Sequence, residues 1–414
     1  MNQPAVPKTR FFLILLLGAL FFLTGPVRSG SDTANDLIII DHGPFLQALT
    51  ENAVTVVWTT NKKCVSKVEY ALAENFQTFP QFGGLIQTAQ TSRDGLVDAD
   101  ITYHKVRITG LQPGKTYKYR VVSKEITQFA PYEVVFGASI VGEIRQFKTL
   151  DPLKSAFSFV VFQDNHENAT RLEKMLQAVS WKDIDLVFFN GDTVNHLETE
   201  PQIFNGFLDA SVKFFAREIP FIYIRGNHDT RGALARSLMN YYDTPEGRWY
   251  YAFDHGPVHF IVLDSGEDKP DTSPVYAGLA DFDHYRWEQA AWLKSHIQTK
   301  AFREAAFRVA VFHIPIYGDR RSRERGAEPY TEAEIAKLWG PLLNEGGVDL
   351  LLSGHWHRFA HKDPQEGKNS FPVLVGPADG MIRADVTADK IDVTVTGADG
   401  KPIDAFSAPA KKRI

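Results

Sequence analysis

The sequence contains only one cysteine, Cys64, among its 414 residues. A single thiol cannot form an intrachain disulfide, and Cys64 belongs to none of the paired-cysteine motifs that bind zinc or iron–sulfur clusters. We therefore expect any metal ion bound by this chain to have oxygen and nitrogen ligands. Cys64 itself is expected to be a buried residue without a chemical role.

An excess of charge of one sign is also missing. The formal net charge is −5, and 23% of the residues are charged while 44% are hydrophobic. This balance indicates no general affinity for nucleic acid or anionic lipid, so no nucleic acid is expected as a stable partner. The length is sufficient for two domains and an export segment. The sequence does not indicate an oligomeric state.

The N-terminus carries a short hydrophobic run, Phe11–Leu23, after Lys8 and Arg10. A basic region followed by an apolar region is typical of a secretory signal peptide, which we assign to residues 1–29. The run is shorter than the ~20 residues of a membrane-spanning helix. We therefore expect export to the periplasm or the extracellular space. Membrane anchoring by residues 11–23 is the alternative, because Val27-Arg28-Ser29 is only a fair cleavage site.

Residues 36–150 have the pattern of an all-β domain. Ala53–Thr60 is rich in β-branched residues, while Val65–Tyr70 and Tyr117–Val122 alternate between apolar and polar positions. Short strands at this spacing predict a β-sandwich. A proline ends the last strand, so the domain boundary is expected near Thr149–Pro152.

Residues 155–410 alternate between apolar strands and amphipathic helices, which is typical of an α/β domain. Leu172, Met175, Leu176 and Val179 mark one face of a predicted helix. Thr331–Glu334 has the sequence of a capping box and predicts the start of another helix. Apolar and polar residues alternate in Lys390–Val395, and a turn follows at Ala398–Lys401. This pattern predicts a hairpin.

Five apolar runs in this second domain each end in polar residues that can bind a metal. A buried strand that stops at a polar residue places that residue at the carboxyl edge of a sheet. Five such stops predict a multidentate metal centre better than they predict scattered core histidines. Imidazole and carboxylate ligands suit zinc, manganese or iron. The five clusters are Gln163–His166, Asn190–Asp192, Gly226–Asp229, His313 and Gly354–His357.

The order D-x-H, G-D, G-N-H-D, H, G-H-x-H resembles the calcineurin-like metallophosphoesterases over roughly residues 155–390. The L-x-P-G-x-x-Y-x-Y-x-V stretch at residues 111–121 resembles fibronectin type III domains. Together the two parts resemble the layout of purple acid phosphatases. The resemblance implies an α/β (α+β) two-sheet sandwich flanked by helices, preceded by an all-β sandwich. We expect the C-terminal hairpin to lie on the second of these two sheets.

The resemblance also implies the cofactors and their ligands. Two divalent or trivalent transition-metal ions (iron, manganese or zinc) would share Asp192 as a bridge. One ion would be completed by Asp164, His166 and His357, and the other by Asn227, His313 and His355.

In the family, the histidine at the position of His228 contacts the phosphate and can protonate the leaving oxygen. Asp229 would orient its other ring nitrogen, and Asn227 would also contact substrate. Arg320, in an arginine cluster, could belong to a loop that covers the site and contacts substrate, although a solvated surface is the more ordinary interpretation. His196 is an intermediate candidate because it is close to Asp192 in sequence.

One departure from the purple enzymes concerns Asn195. It stands where they carry the tyrosine that ligates ferric iron, and His166 stands where their first motif lacks a histidine. The resemblance therefore covers the domain layout and not the iron–tyrosinate centre.

The function expected is an exported phosphomonoesterase that hydrolyses phosphate esters with metal-activated hydroxide. A phosphodiesterase or nucleotidase is the alternative within the enzyme class. A non-catalytic surface-binding protein is the alternative from another class, and it is disfavoured because no predicted ligand is missing. A membrane partner is expected only if the signal is not cleaved.

Overall fold

The computed structural model describes residues 37–75, 86–317 and 329–411. The predicted fold class is confirmed, with an all-β domain followed by an α/β domain that contains two large sheets. Within these ranges, no helix combines the length and the apolar character needed to cross a membrane. The signal predicted at residues 1–29 and Arg320 both lie outside the described residues.

The first domain is built around one very long strand. Its strands are β1 (Phe45–Gln47), β2 (Ala53–Leu72), β3 (Gln87–Ala89), β4 (Ser92–Arg93), β5 (Leu96–Val97), β6 (Ile101–Thr109), β7 (Thr116–Ala130), β8 (Glu133–Val141) and β9 (Arg145–Lys148). Strand β2 pairs with β1 and β6 up to Thr59 and, beyond an irregularity that ends at Cys64, with β7 and β3. A strand that changes partners in this way can contribute to both layers of a sandwich.

The predicted interior of this domain is confirmed at two positions. Cys64 is buried, and Trp58 is fully buried and donates a hydrogen bond to Ser123 Oγ at 2.9 Å. The Tyr117 hydroxyl accepts a hydrogen bond of 2.9 Å from the backbone N–H of Gln112, which fixes the turn before β7. This tyrosine therefore serves the core and the turn together.

The second domain consists of two sheets packed face to face. Its strands are β10 (Phe157–Phe162), β11 (Leu186–Asn190), β12 (Phe221–Ile224), β13 (Tyr251–His255), β14 (Val258–Val262), β15 (Phe307–Val311), β16 (Leu350–Ser353), β17 (Ala360–Lys362), β18 (Val373–Val375), β19 (Gly380–Val386), β20 (Lys390–Gly397) and β21 (Pro402–Pro409). The first sheet has the order β12-β11-β10-β19-β20-β21, and the second has the order β13-β14-β15-β16-β18-β17. Phe159 and Phe188 of the first sheet pack against Phe260 of the second, with ring centroids 5.4 and 5.3 Å apart.

The predicted placement of the C-terminal hairpin is wrong. The hairpin of β20 and β21 exists, but it extends the first sheet and not the second. Strand β19 crosses back and pairs with β10, with Phe157 opposite Val386, so the hairpin continues from the edge that β19 provides.

The helices cover the outer faces of the two sheets. They are α1 (Ala169–Gln177), α2 (Glu200–Ile203), α3 (Asp209–Phe214), α4 (Leu238–Tyr241), α5 (Phe282–His296), α6 (Lys300–Glu304), α7 (Tyr330–Leu338) and α8 (Gly340–Glu345). Helix α1 buries Leu172, Met175 and Leu176, as predicted. The predicted capping box is wrong, because α7 begins at Tyr330 and Thr331 lies in its first turn. The Thr331 hydroxyl donates to the Glu267 carbonyl at 2.7 Å instead.

Candidate metal centre

The five polar clusters converge on one edge of the two-sheet core. Strands β10, β11 and β12 are parallel neighbours in the first sheet, and β15 and β16 are parallel neighbours in the second. Parallel strands end at the same edge, so their carboxyl ends bring the polar residues together. The structure gathers all seven predicted metal ligands at this edge. It groups six of them in two sets that share Asp192, and Asn227 contacts one member of the second set.

The first set consists of Asp164, His166, Asp192 and His357, whose ligand atoms all lie within 4.8 Å of one another. His166 Nε2 is 3.0 Å from His357 Nε2, and His357 Nε2 is 3.5 Å from Asp164 Oδ1. The His357 side chain is 53% exposed, whereas Asp164 is fully buried. This half of the centre therefore opens to solvent on its histidine side.

The second set consists of Asp192, His313 and His355, with Asn227 beside them. His313 Nε2 lies 3.2 Å from Asp192 Oδ2, and His355 Nδ1 lies 3.0 Å from Asn227 Oδ1. The other ring nitrogen of His313, Nδ1, is 2.7 Å from the Asn190 carbonyl. This contact directs the lone pair of Nε2 toward the centre, which is how ligand histidines are usually oriented.

The backbone at this edge is strained. Left-handed φ angles are rare outside glycine, and they concentrate at functional sites because the surrounding fold must hold them. The residues concerned are Asp164 (53°), His166 (48°), Glu167 (60°), Asp192 (51°), His355 (73°) and His357 (57°).

Two glycines allow the turns to approach each other closely. A Cβ atom on Gly191 would lie 2.3 Å from His313 Nδ1, and a Cβ on Gly226 would lie 2.2 Å from Asp192 Oδ1. Any side chain at either position would displace a predicted ligand. The glycines of the G-D and G-N-H-D motifs are therefore required by packing at the centre.

The electrostatics of the centre fit a bound cation. Burial raises the pKa of Asp164 to about 8, and the positive charges nearby do not offset that rise. Burial lowers the pKa of His166 and His355 to about 4, which keeps both rings neutral and able to ligate. Burial also lowers the pKa of His313, but the charge of Asp192 outweighs it and raises that pKa to about 10. A metal ion would supply this positive charge and displace the proton.

The buried donor set fits a metal as well. Among the described residues, His313 Nε2 is buried without a hydrogen-bond partner of good geometry, although it faces Asp192. An orphaned ring nitrogen beside two buried carboxylates is costly unless a cation joins them.

The predicted contact between Asp229 and the His228 ring is not formed. Asp229 is fully buried, and its carboxylate accepts hydrogen bonds from groups on two turns. The donors are the backbone N–H groups of Asp192, Thr193, Val194 and Gly226 and the hydroxyl of Thr193. A side chain next to His228 in sequence points into the protein here, so Asp229 holds the backbone and does not orient the ring.

His228 has different partners. Its Nδ1 lies 2.8 Å from the Asn195 carbonyl, and its Nε2 lies 3.0 Å from a guanidinium nitrogen of Arg231. The ring is 4.7 Å from that of His166, so it stands beside the first ligand set without belonging to it. Sequence reasoning missed Arg231, although its position three residues after His228 in a short helical turn was a signal for contact.

The remaining residues near the centre belong to neither ligand set. His196 is half-exposed and is near Glu198, at 3.8 Å. Asn195 donates to Glu167 Oε2 at 2.7 Å, so the amide at the tyrosine position is used to hold a neighbouring turn. Arg171, which the sequence did not single out, donates to the Asp164 carbonyl at 2.6 Å and supports the strained backbone there.

Comparison with known proteins agrees with this geometry. The family model described as calcineurin-like phosphoesterase matches residues 157–359. The model of the purple acid phosphatase N-terminal domain matches residues 45–149. Residues 157–359 therefore form a calcineurin-like phosphoesterase domain. The chain carries the purple acid phosphatase N-terminal domain in front of the phosphoesterase domain.

Individual relatives are distant phosphatases. Mouse acid phosphatase type 7 is 24% identical over 74% of this chain and 67% of its own length. Purple acid phosphatase 18 of Arabidopsis thaliana is 25% identical over 40% of this chain and 36% of its own length. The chain thus spans between about a third and two thirds of these two relatives.

A solved structure supports the fold. The purple acid phosphatase PPD1 from yellow lupin (Lupinus luteus) superposes with a TM-score of 0.64 at 15% identity, covering 88% of this chain and 73% of the lupin chain. At this identity the match shows the shared fold alone.

Proposed function

We propose that this chain is a binuclear metal-dependent phosphatase that hydrolyses phosphomonoesters. One observation carries the proposal: six predicted ligands form two sets that share the buried carboxylate of Asp192. Two cations a few ångströms apart repel each other, and a shared anionic ligand offsets that repulsion. The phosphatase names of the relatives support the same reaction class.

The ligands and their supports define what each half of the centre would do. Asp164, His166 and His357 would hold one iron, manganese or zinc ion, and Asn227, His313 and His355 would hold the other, with Asp192 shared. Such ions, when bound, supply Lewis-acid activation of water and offset charge on the phosphoryl oxygens. The Asn190 carbonyl and the Asp229 carboxylate keep the ligand side chains and turns oriented.

His228 is the proposed group for the leaving oxygen. Its ring is next to the first ligand set, and the Asn195 carbonyl contacts Nδ1, so Nε2 is the nitrogen left for exchange of a proton. In this structure Nε2 faces the Arg231 guanidinium. The leaving oxygen of a substrate would therefore approach the ring beside that guanidinium. Asn227 directly precedes His228, and its Oδ1 lies 3.0 Å from His355 Nδ1. It is the second proposed substrate contact.

The test is hydrolysis of p-nitrophenyl phosphate and of bis(p-nitrophenyl) phosphate by protein of measured metal content. We expect two metals per chain and a kcat/KM that favours the monoester. Preference for the diester would replace the proposal with a phosphodiesterase. Metal-loaded protein without turnover of either ester would contradict an enzymatic function.

Export is proposed as well, from the predicted signal at residues 1–29. Mass spectrometry of the protein from its native host is expected to find a chain that begins near residue 30. An intact N-terminus on membrane-bound protein would instead favour the anchor at residues 11–23.

A further inference from the structure

A cavity of about 560 Å³ is lined in part by Arg231, the residue that contacts the His228 ring. Its wall begins at Thr230 and Arg231, two and three residues after His228 in sequence. Because Arg231 contacts His228 Nε2 at 3.0 Å, the cavity lies one side chain away from the proposed leaving-group residue. Other lining residues include Arg236, Lys269, Val275, Tyr276 and Leu279.

Three cationic side chains line the cavity, and they differ in how they are paired. Arg231 makes a two-point ion pair with buried Glu267, at 3.0 Å for each bond, and contacts Asp268 at 3.3 Å. Lys269 is paired with Asp268 at 2.6 Å. Arg236 is exposed, and its contacts are long ones of 3.5 Å to the carbonyls of Gly232 and Leu279.

Arg236 is therefore the lining cation whose positive charge is available to a ligand. Within the described parts of the chain, no carboxylate forms an ion pair with it, whereas acidic residues already offset Arg231 and Lys269. A guanidinium on a cavity wall binds carboxylate or phosphate oxygens through paired N–H donors.

Part of the cavity wall is apolar. Val275 and Leu279 line the cavity and are 70% and 74% exposed, so their apolar surfaces are accessible to a ligand. They belong to a tight turn in which Ala277 has a left-handed φ of 51° and Gly278 a φ of 75°. Tyr276 adds an aromatic ring to the same wall.

We propose that this cavity receives the alcohol part of the substrate, and that Arg236 selects alcohols that join an apolar or aromatic body to an anionic group. The inference rests on the proposed phosphatase function and names its substrate class. Hydrolysis forms a bond between phosphorus and the water oxygen and breaks the bond between phosphorus and the ester oxygen. The alcohol leaves with one proton on the cavity side, and inorganic phosphate remains on the ligand side.

The kinetic experiment compares two aryl phosphates that differ by one carboxylate, namely 4-carboxyphenyl phosphate and phenyl phosphate. Selectivity is the ratio of their kcat/KM values, and comparing this ratio between variants cancels the intrinsic reactivity of each ester. Arg236→Ala is expected to lower the ratio about tenfold, the worth of one charge-assisted contact. Arg236→Lys should retain part of it. The matched control is Arg303→Ala, an exposed arginine on α6, which should leave the ratio unchanged.

A binding experiment provides a readout without turnover. Calorimetric titration of the full chain with 4-hydroxybenzoate, the alcohol product, is expected to show binding that Arg236→Ala weakens about tenfold. Equal selectivity in the wild type and Arg236→Ala, or no binding of 4-hydroxybenzoate by the wild type, would overturn the inference. Failure of the metal-loaded wild type to hydrolyse either ester would instead contradict the proposed function, so the two failures are distinguishable.

Discussion

Two of the buried histidines, one in each domain, show how a structural histidine differs from a candidate ligand. His104 lies within strand β6 of the first domain, where Nε2 is 2.8 Å from the Thr60 hydroxyl and the ring packs against Trp58. His313 lies just beyond strand β15, where Nε2 faces the Asp192 carboxylate at 3.2 Å. Both rings are buried, with 2% and 0% exposure.

The two rings differ in the polar groups that they contact. His104 contacts a neutral hydroxyl, and burial lowers the pKa of the His104 ring to about 4. This ring is therefore stable as a neutral core residue. Carboxylates surround His313, and they raise its pKa against the effect of burial. Burial alone therefore does not identify a ligand. What separates His313 from His104 is the pair of buried carboxylates beside its ring.

The largest effect is expected from removing the charge that the two ligand sets share. Asp192→Asn should lose at least one metal ion and nearly all hydrolysis, because an amide cannot offset the repulsion between two cations. Metal analysis beside kinetics measures both. Asp399→Asn, at the exposed β20–β21 turn, is the control and should behave as the wild type. Full metal content in Asp192→Asn would remove this residue from its bridging role.

A smaller loss is expected at His228, which stands beside the ligand sets. His228→Ala should keep both metals and lose about 10²- to 10⁴-fold in kcat, the usual contribution of a positioned acid or base. Unchanged kcat would exclude the residue from the mechanism. Loss of metal in this variant would reassign it as a ligand or as a support of the turn.

The contrast between the two buried histidines can be tested directly through metal-linked stability. A metal at 100 times its Kd adds ~2.7 kcal/mol to the free energy of unfolding. His313→Ala should lose most of this increment, whereas His104→Gln should keep it, even if both variants are less stable in chelator. Urea unfolding with and without metal gives the four values. An equal metal-dependent increase in the free energy of unfolding in both variants would contradict the assignment of His313 as a ligand.

The pH dependence of stability should follow His104. Its pKa is about 4 in the folded chain and near 6.5 when unfolded, so the unfolded state binds the extra proton between these values. The resulting stability is complete above pH 6.5 and is lost as pH falls toward 4. Between pH 7 and pH 5, the wild type should lose on the order of 2 kcal/mol more than His104→Gln. Parallel pH profiles from urea unfolding would refute this assignment.

The smallest effect is an absence of colour. A ferric sample should lack the visible band of an iron–tyrosinate pair, because Asn195 occupies the position where the purple enzymes carry their tyrosine. Tyr223 is buried and reaches toward Thr193, and Tyr317 donates to the Lys368 carbonyl, so neither hydroxyl is turned to a predicted ligand set. A strong band in the visible spectrum would show that a tyrosine does bind, and the first ligand set would then need revision.

Much of the centre could be predicted because strand ends are visible in sequence. A run such as FSFVVF stops at Asp164, and a parallel sheet brings such stops to one edge. The left-handed backbone at Asp164, Asp192 and His355 could not be predicted, because only contacts between turns hold these angles.

The errors have a common cause. Asp229 was expected to contact the His228 ring because the two are adjacent in sequence, but adjacency does not give side-chain direction in an irregular turn. The Thr331 hydroxyl could cap a helix or bind a distant carbonyl, and burial against Glu267 decides between them. The hairpin of β20 and β21 was assigned to the wrong sheet because the return of β19 to β10 is a long-range pairing without a local signal.

The hydrogen bonds to the Asp229 carboxylate have a mechanical consequence. They tie the turn after β11, which carries Asp192, to the turn after β12, which carries Asn227 and His228. We therefore expect the two turns to move together, so that a displacement of Asp192 is accompanied by a displacement of His228. Distant substitutions would then tilt the two turns together while the spacing between the bridging carboxylate and the imidazole stays the same.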